Sequence, residues 1–334
     1  MMKAEWERQY AVQLTWPHEG TDWAPILEGI TATYLDMAAA IIARERLIIV
    51  GPSADNALAL IRQRVGEEKA RLVSTLTCDT DDTWARDHGL ISASEDDGIR
   101  LLDFCFNGWG RKYPAEKDND INRHLNAAGL LHGTYEWHGD FVLEGGSIES
   151  DGKGTLFTTT SCLTAKNRNG MDKATLETEL KRRLRAQRVV WIDHGAITGD
   201  DTDGHIDTLM RIAPDNTIVY VGCDDRNDEQ YAELAAMEEQ IRTLRTTDGI
   251  PYRLLRLPLP EAIYEGEERL PATYANYLVI NGAVLCPTYG QPASDALAMT
   301  IISKAYPDRK IVGIDSRTII RQRGSVHCCA MQYY

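Results

Sequence analysis

Along the chain, apolar runs of strand length alternate with stretches whose apolar positions recur at helical spacing. RLIIVGPSADNALALIRQRV followed by ARLVSTL sets out strand, turn, amphipathic helix and strand over residues 46–76. AVLCPTYGQPASDALAMTIISKAYPDRKIVGID repeats that order over 283–315, and the helical openings ADNALAL (54–60) and ASDALAM (293–299) are close in sequence as well as in pattern. Three segments between them fit less closely. GIRLLDFCF (98–106) leads to a helix around 117–128 and then TYEW, GTLFTTTSC (154–162) to a helix at 172–186 and then RVVWID, and TIVYVG (217–222) to a helix at 228–245 and then YRLLRLP. The leading strands recur about every 50–65 residues, within reach of a cyclic array.

Short β-branched and aromatic runs between helices imply an α/β architecture. Five such units predict a ring in which each unit projects the loop after its last strand toward one centre. A Rossmann-like open sheet is the competing arrangement, but no GxGxxG follows a strand. No linker or low-complexity segment divides the chain, so residues 1–334 are expected to form a single domain.

Composition narrows the class. With 43% hydrophobic and 26% charged residues the chain reads as an ordinary globular enzyme. A net charge of -14 speaks against nucleic acid or an anionic membrane as partner and is compatible with a small cationic substrate. The opening MMKAEWERQY carries no apolar signal segment, and the run Met37 to Ala43 is far too short to span a bilayer. Seven cysteines without a CxxC pair do not form a disulfide framework. The expectation is a reduced, cytoplasmic protein whose thiols serve packing or chemistry.

Reactive side chains keep to one phase of the repeat, the loop after the closing strand. These loops are CDTDDTWARDHG (78–89), HGDFVLEGGSIESDG (138–152), HGAITGDDTDGHIDTLMRI (194–212) and SRTIIRQRGSVHCCAMQ (316–332); the fifth, PATYANYLVING (271–282), has no strong acid or base. Cys328 is the candidate nucleophile, attacking as a thiolate, although a cysteine in VHCCAM can equally be inert packing, as Cys329 is expected to be. If this segment is a strand, only one of the pair faces the site. On an extended segment, His205 and Asp207 share a face and suit acid/base and charge-clamp roles. An N-cap for Asp207 or a metal site for the whole run are the alternatives, and HxD alone is a weak zinc signal. Glu144-Gly145-Gly146 marks a close backbone approach or merely a turn. Trp84 and Asp87 combine a wall and an acid, while Arg86 reads as a structural ion pair. Several acids around one His and one Cys suit a planar cation such as guanidinium, which pairs bidentately with carboxylates.

Together these motifs resemble the agmatine deiminase family, which includes the bacterial peptidylarginine deiminases, within the guanidine-modifying superfamily. The matching residues are Asp82-x-Trp84-x-Arg86-Asp87, Phe106-Asn107-Gly108-Trp109-Gly110, Glu144-Gly145-Gly146, Gly199 through Asp207 in GDDTDGHID, Tyr274-Ala275-Asn276-Tyr277, PTYGQPASDALA (287–298) and His327-Cys328, covering nearly the whole chain from about residue 16. The resemblance implies a five-bladed α/β propeller, the pentein fold. It makes Cys328 the nucleophile and His205 the proton shuttle, with Glu144 orienting His205. Asp87 and Asp207 would grip the guanidinium, with Trp84, Trp109 and Gly145 lining its pocket. The implied course runs through a covalent thiouronium, without metal or cofactor. Asp201 corresponds to the acid that receives the distal ammonium of agmatine, giving N-carbamoylputrescine. Arg111 departs from the smaller residue usual there and suits a substrate carboxylate, as in a peptide C-terminus or free arginine, unless it is merely exposed. Gln322-Arg323-Gly324-Ser325-Val326 stands where GGGNI is more usual, which bears on substrate identity. A homo-oligomer is also implied. Rival readings are deimination of peptidylarginine or another guanidine, a metal-dependent hydrolase and a non-catalytic binding propeller.

Overall fold

The structure, a computed structural model, describes residues 1–334. Five small sheets share one plan: a central strand with an antiparallel neighbour on one side and, across a helix, a parallel neighbour on the other. In chain order the second blade is Ile91–Glu95, Gly98–Cys105 and Thr134–Val142, and the third is Ile148–Ser150, Thr155–Thr159 and Arg188–Ile192. The fourth is Met210–Ala213, Thr217–Gly222 and Arg253–Pro258, and the fifth is Leu278–Ile280, Ala283–Thr288 and Lys310–Asp315. Their crossover helices are Glu116–Ala127, Lys173–Leu184, Tyr231–Thr243 and Pro292–Ala305. The ring expected from the repeat is therefore present as a five-bladed α/β propeller.

The first blade differs from the expectation. Its strands order as Ala330–Tyr333, Ala11–Thr15, Arg46–Val50 and Val73–Leu76. The unit equivalent to the other four runs from Ala11–Thr15 through helix Leu27–Ile42 to Arg46–Val50; the unit read at 46–76 adds a fourth, parallel strand. AVQLT did not read as an apolar strand because it buries Gln13 and Thr15 completely. Its antiparallel partner lies at the other end of the chain, where Ala330 pairs with Leu14 and Tyr333 with Ala11. That pairing closes the ring.

Each helix lays an apolar face on its blade. In Lys173–Leu184 the buried Leu176, Leu180 and Leu184 recur every fourth residue, and Asp172 caps the start by accepting the Thr175 amide at 2.8 Å. The helical stretch Ala24–Ile42 is long and apolar enough to cross a membrane by length and composition. Here Ile30, Tyr34, Met37, Ala38, Ile41 and Ile42 instead join the largest core cluster, beside Trp23 and Ile49.

Candidate active site

All five loops that follow the parallel strands converge. They deliver Trp84 and Asp87, Glu144 to Gly146, His205 and Asp207, Asn276, and Cys328 to one place. The pocket there is lined by Cys328, His205, Asp87, Trp84, Trp109, Asp201 and Arg323, with Asp22, Asp82, Tyr113, Asp200 and Gly324 among the remaining walls.

Local folding explains how each side chain arrives. Cys328 lies in a turn just before strand Ala330–Tyr333, rather than in the strand the sequence suggested. Asn276, to which the sequence reading gave no role, fixes that turn: its Oδ1 accepts the amides of His327 and Cys328 at 3.0 and 3.3 Å. The thiol donates to the same oxygen at 3.4 Å. Cys329 turns away into the core, fully buried. His205 and Asp207 flank Ile206 at the start of a short 3-10 turn, not on an extended segment. The acids of GDDTDG shape the loop before it. Asp200 accepts the Thr202 hydroxyl and the Gly204 amide at 2.7 and 2.9 Å, and Asp203 takes Lys112 and Arg168 at 2.8 and 2.6 Å.

Around the thiol, Asp207 Oδ2 lies 3.9 Å from Cys328 Sγ. Asp87 accepts the Trp109 indole N–H and the Gly146 amide, each at 2.9 Å, and lies 3.6 Å from His205 Nδ1. Both ring nitrogens of His205 and Oδ1 of Asp207 are buried without a hydrogen-bond partner. Such groups are costly unless something pairs with them.

The electrostatics of the pocket follow from burial and nearby carboxylates. Burial, Asp207 and Asp87 together push the Cys328 thiol well above its usual range. Burial works to lower His205, but Asp87, then the adjacent Cys162, and last Glu144 hold it well above its ordinary value. Burial opposes ionisation of Asp207 most strongly, but the hydrogen bond and charge of His327, with His205 and Arg211 nearby, together hold its carboxyl below the usual range. The resting pair is a neutral thiol and an imidazolium, with Asp207 a carboxylate.

Three expected site residues sit differently. Glu144 is fully buried, and Arg168 Nε meets its two oxygens at 2.9 and 3.1 Å. It remains close to His205, with ligand atoms of Glu144, Cys162 and His205 within 4.8 Å of one another. Nothing in AKNRNG marks Arg168 as its partner. Gly145 does not line the pocket; a Cβ there would strike the Arg86 carbonyl oxygen at 2.1 Å. Gly146 is the glycine that faces the site. Arg111 is exposed and outside the pocket wall, whereas Arg323 stands in the wall, 3.9 Å from Asp201. Gly324 is required because a Cβ would fall 2.1 Å from the Trp84 ring.

Two clusters have donor sets of metal-ligand type: Glu144, Cys162 and His205, and Glu5, Glu149 and His327. In both, a guanidinium already sits on a carboxylate, Arg168 on Glu144 and Arg211 on Glu5 and Glu149. Neither cluster is preorganised for a cation.

Comparison with known proteins identifies the family. The model of the Porphyromonas-type peptidyl-arginine deiminase family matches residues 1–333. Agmatine deiminase of Ectopseudomonas mendocina is 30% identical over 357 residues, covering 99% of this chain and 94% of that protein. A Porphyromonas gingivalis protein proposed to be an arginine deiminase superposes with a TM-score of 0.93 at 47% identity, over 99% of this chain and 97% of its own. A substrate-bound variant of C. jejuni agmatine deiminase superposes with a TM-score of 0.89 at 35% identity, over 100% of this chain and 96% of its own. The chain thus belongs to the Porphyromonas-type peptidyl-arginine deiminase family and is an amidine hydrolase of the agmatine deiminase type.

Proposed function

We propose that this protein hydrolyses agmatine to N-carbamoylputrescine and ammonia through a covalent Cys328 thiouronium. The observation that carries the reading is the pair of carboxylates beside the thiol: Asp207, whose Oδ1 is buried without a partner and whose Oδ2 lies 3.9 Å from Cys328 Sγ, and Asp87 in the pocket wall. A guanidinium offers planar N–H donors to Asp87 and Asp207 and sets its electrophilic carbon over Cys328 Sγ.

Its positive charge offsets the two carboxylates that hold the thiol protonated. The thiol proton leaves to solvent as the cation binds, and the thiolate adds to the guanidinium carbon. His205, already an imidazolium, gives its proton to the departing nitrogen, the C–N bond breaks and ammonia leaves. Water, deprotonated by the now neutral His205, then attacks the thiouronium carbon. The C–S bond breaks and the adduct's hydroxyl proton passes to solvent, returning the thiolate and the neutral ureido product. Glu144 favours the charged ring of His205, and Trp84 and Trp109 wall the pocket. Asp201, which accepts the Tyr113 hydroxyl at 2.9 Å, receives the distal ammonium.

One observation favours a second reading. Arg323 stands in the pocket wall, 3.9 Å from Asp201, and would meet a carboxylate-bearing guanidine such as free arginine or a C-terminal arginine, the role the sequence suggested for Arg111. The test is to assay ureido product and ammonia from agmatine, arginine and a peptide ending in arginine, with EDTA present and Cys328→Ala as control. Turnover of agmatine, abolished in the variant, is the expected result. Turnover of carboxylate-bearing substrates alone moves the specificity to Arg323. Equal inertness of both proteins on all three overturns the deiminase reading.

A further inference from the structure

Beside the nucleophile, His327 is 1% exposed and has a carboxylate on each ring nitrogen. Nδ1 lies 2.6 Å from Asp207 Oδ2, and Nε2 lies 2.5 Å from Oε1 of Glu5, which comes from the opposite end of the chain. An imidazole can donate at both nitrogens only when both carry protons. Glu5 is also met by Arg211 Nη2 at 2.5 Å and Arg86 Nη1 at 3.2 Å. Arg211 Nε continues to Glu149 at 2.5 Å. Arg211 Nη2 lies 3.0 Å from His327 Nε2. Two donors at that distance are explained by their common acceptor, Glu5.

The charges of this buried cluster decide the form of the ring. Asp207, Glu5 and Glu149 carry three negative charges, and Arg86 and Arg211 carry two positive ones. A neutral His327 leaves an uncompensated negative charge in a cluster that is buried except for the partly exposed Glu5, which is costly; an imidazolium closes the balance. The ring also selects the oxygen that Asp207 offers. With Oδ2 engaged by Nδ1, Oδ1 is left buried without a partner.

We propose that His327 is a positioning residue. As an imidazolium braced by Glu5, it clamps Asp207 Oδ2, keeps Asp207 a carboxylate and turns Oδ1 to the guanidinium. The inference rests on the proposed site, since Asp207 must be the group that grips substrate. The groups facing the ring are Asp207, Glu5 and Arg211, with Arg86 and Glu149 behind them and Cys328 next in the chain.

His327→Gln removes the charge and the Nδ1 donor, while His327→Asn keeps a donor near the Nδ1 position. KM for the guanidine substrate is expected to rise roughly 10- to 100-fold in His327→Gln, in the range of a lost charged hydrogen bond. Without the imidazolium, burial makes Asp207 harder to ionise, so the acid limb of kcat/KM moves to higher pH and activity partly returns in alkali. His327→Asn is expected to recover part of KM. A uniform loss of kcat with an unmoved pH profile overturns the proposal, because a merely structural histidine would produce that. A readout independent of turnover is the 15N spectrum of histidine-labelled wild type. Both ring nitrogens of His327 are expected to be protonated at pH 7, and Glu5→Gln to weaken that state. A neutral tautomer in the wild type overturns the clamp even if the enzyme is active. Conversely, a doubly protonated ring in a protein inert on every guanidine leaves the charged clamp standing and removes the deiminase reading.

Discussion

The amide of Gly146 holds Asp87 at 2.9 Å, and a methyl group on its Cα would lie 2.7 Å from His205 Nδ1, 2.8 Å from Asp87 Oδ1 and 3.1 Å from Asp207 Oδ2. Its backbone is not in the left-handed region, so alanine fits the chain and only the pocket objects. Gly146→Ala is therefore expected to cut kcat/KM by about 100-fold, the usual cost of displacing a catalytic group by an ångström. Thermal melting should stay close to that of the wild type. Steady-state kinetics beside a melting curve check this, and near-native activity would show that the three side chains are not held as close as drawn. The sequence marked the pair Gly145-Gly146 as a close approach but could not say which glycine faces what. That depends on the turn, which sets Gly145 against the Arg86 carbonyl and Gly146 against the acids. Arg111 and Arg323 divide in the same way. Both were marked as bearing on substrate choice, Arg111 as a partner for a substrate carboxylate and Arg323 in the segment before the nucleophile; that Arg323 and not Arg111 stands in the wall follows from the path of two loops that do not neighbour each other in sequence.

Helix Glu116–Ala127 anchors the loop carrying Trp84, and it does so through an acid. Asp118 is buried and accepts the Asp81 amide at 2.8 Å and the Asp82 amide at 3.1 Å. Burial, with Asp82 and Asp81 close by, lifts its carboxyl to about 8. A carboxyl raised in the folded state binds its proton more tightly there than in the unfolded chain. Its contribution to stability is complete below about pH 4 and is lost as pH rises toward about 8. Asp118→Asn keeps an oxygen for the amides and removes the ionisation. The fall in melting temperature between pH 5 and 8.5 is expected to be smaller in the variant. Equal slopes would show that Asp118 titrates normally. Four of the five blades were legible because their central strands, TIVYVG and AVLCPT most plainly, are rich in apolar or β-branched residues and lead into a helix and a second strand. The first was not, because its central strand buries Gln13 and its antiparallel partner comes from residues 330–333. His205 and Asp207 flank Ile206 in a tight 3-10 turn, where the sequence reading had set them on one face of an extended segment.

The ring gathers charge as well as side chains. The chain carries a net charge of -14, and five aspartates, Asp22, Asp82, Asp87, Asp200 and Asp201, line one pocket against a single arginine. A concave site of one sign with low-dielectric walls draws in oppositely charged ligands and speeds their capture. The reach of that attraction shrinks from roughly 30 Å at about 0.01 M salt to roughly 8 Å at about 0.15 M. For a cationic substrate, kcat/KM is therefore expected to fall several-fold across that range, while kcat, measured with substrate already bound, changes little. Substrate charge sharpens the test. Agmatine is a dication, whereas free arginine and a simple alkylguanidine carry a net single charge, so steering predicts the steepest salt dependence for agmatine. If Asp201 receives the distal ammonium, Asp201→Asn reduces the slope for agmatine and leaves that for the alkylguanidine nearly unchanged. Equal slopes for all three would mean that the acidic surface serves solubility alone. A slope for agmatine untouched by Asp201→Asn would place the distal ammonium on another of the five aspartates.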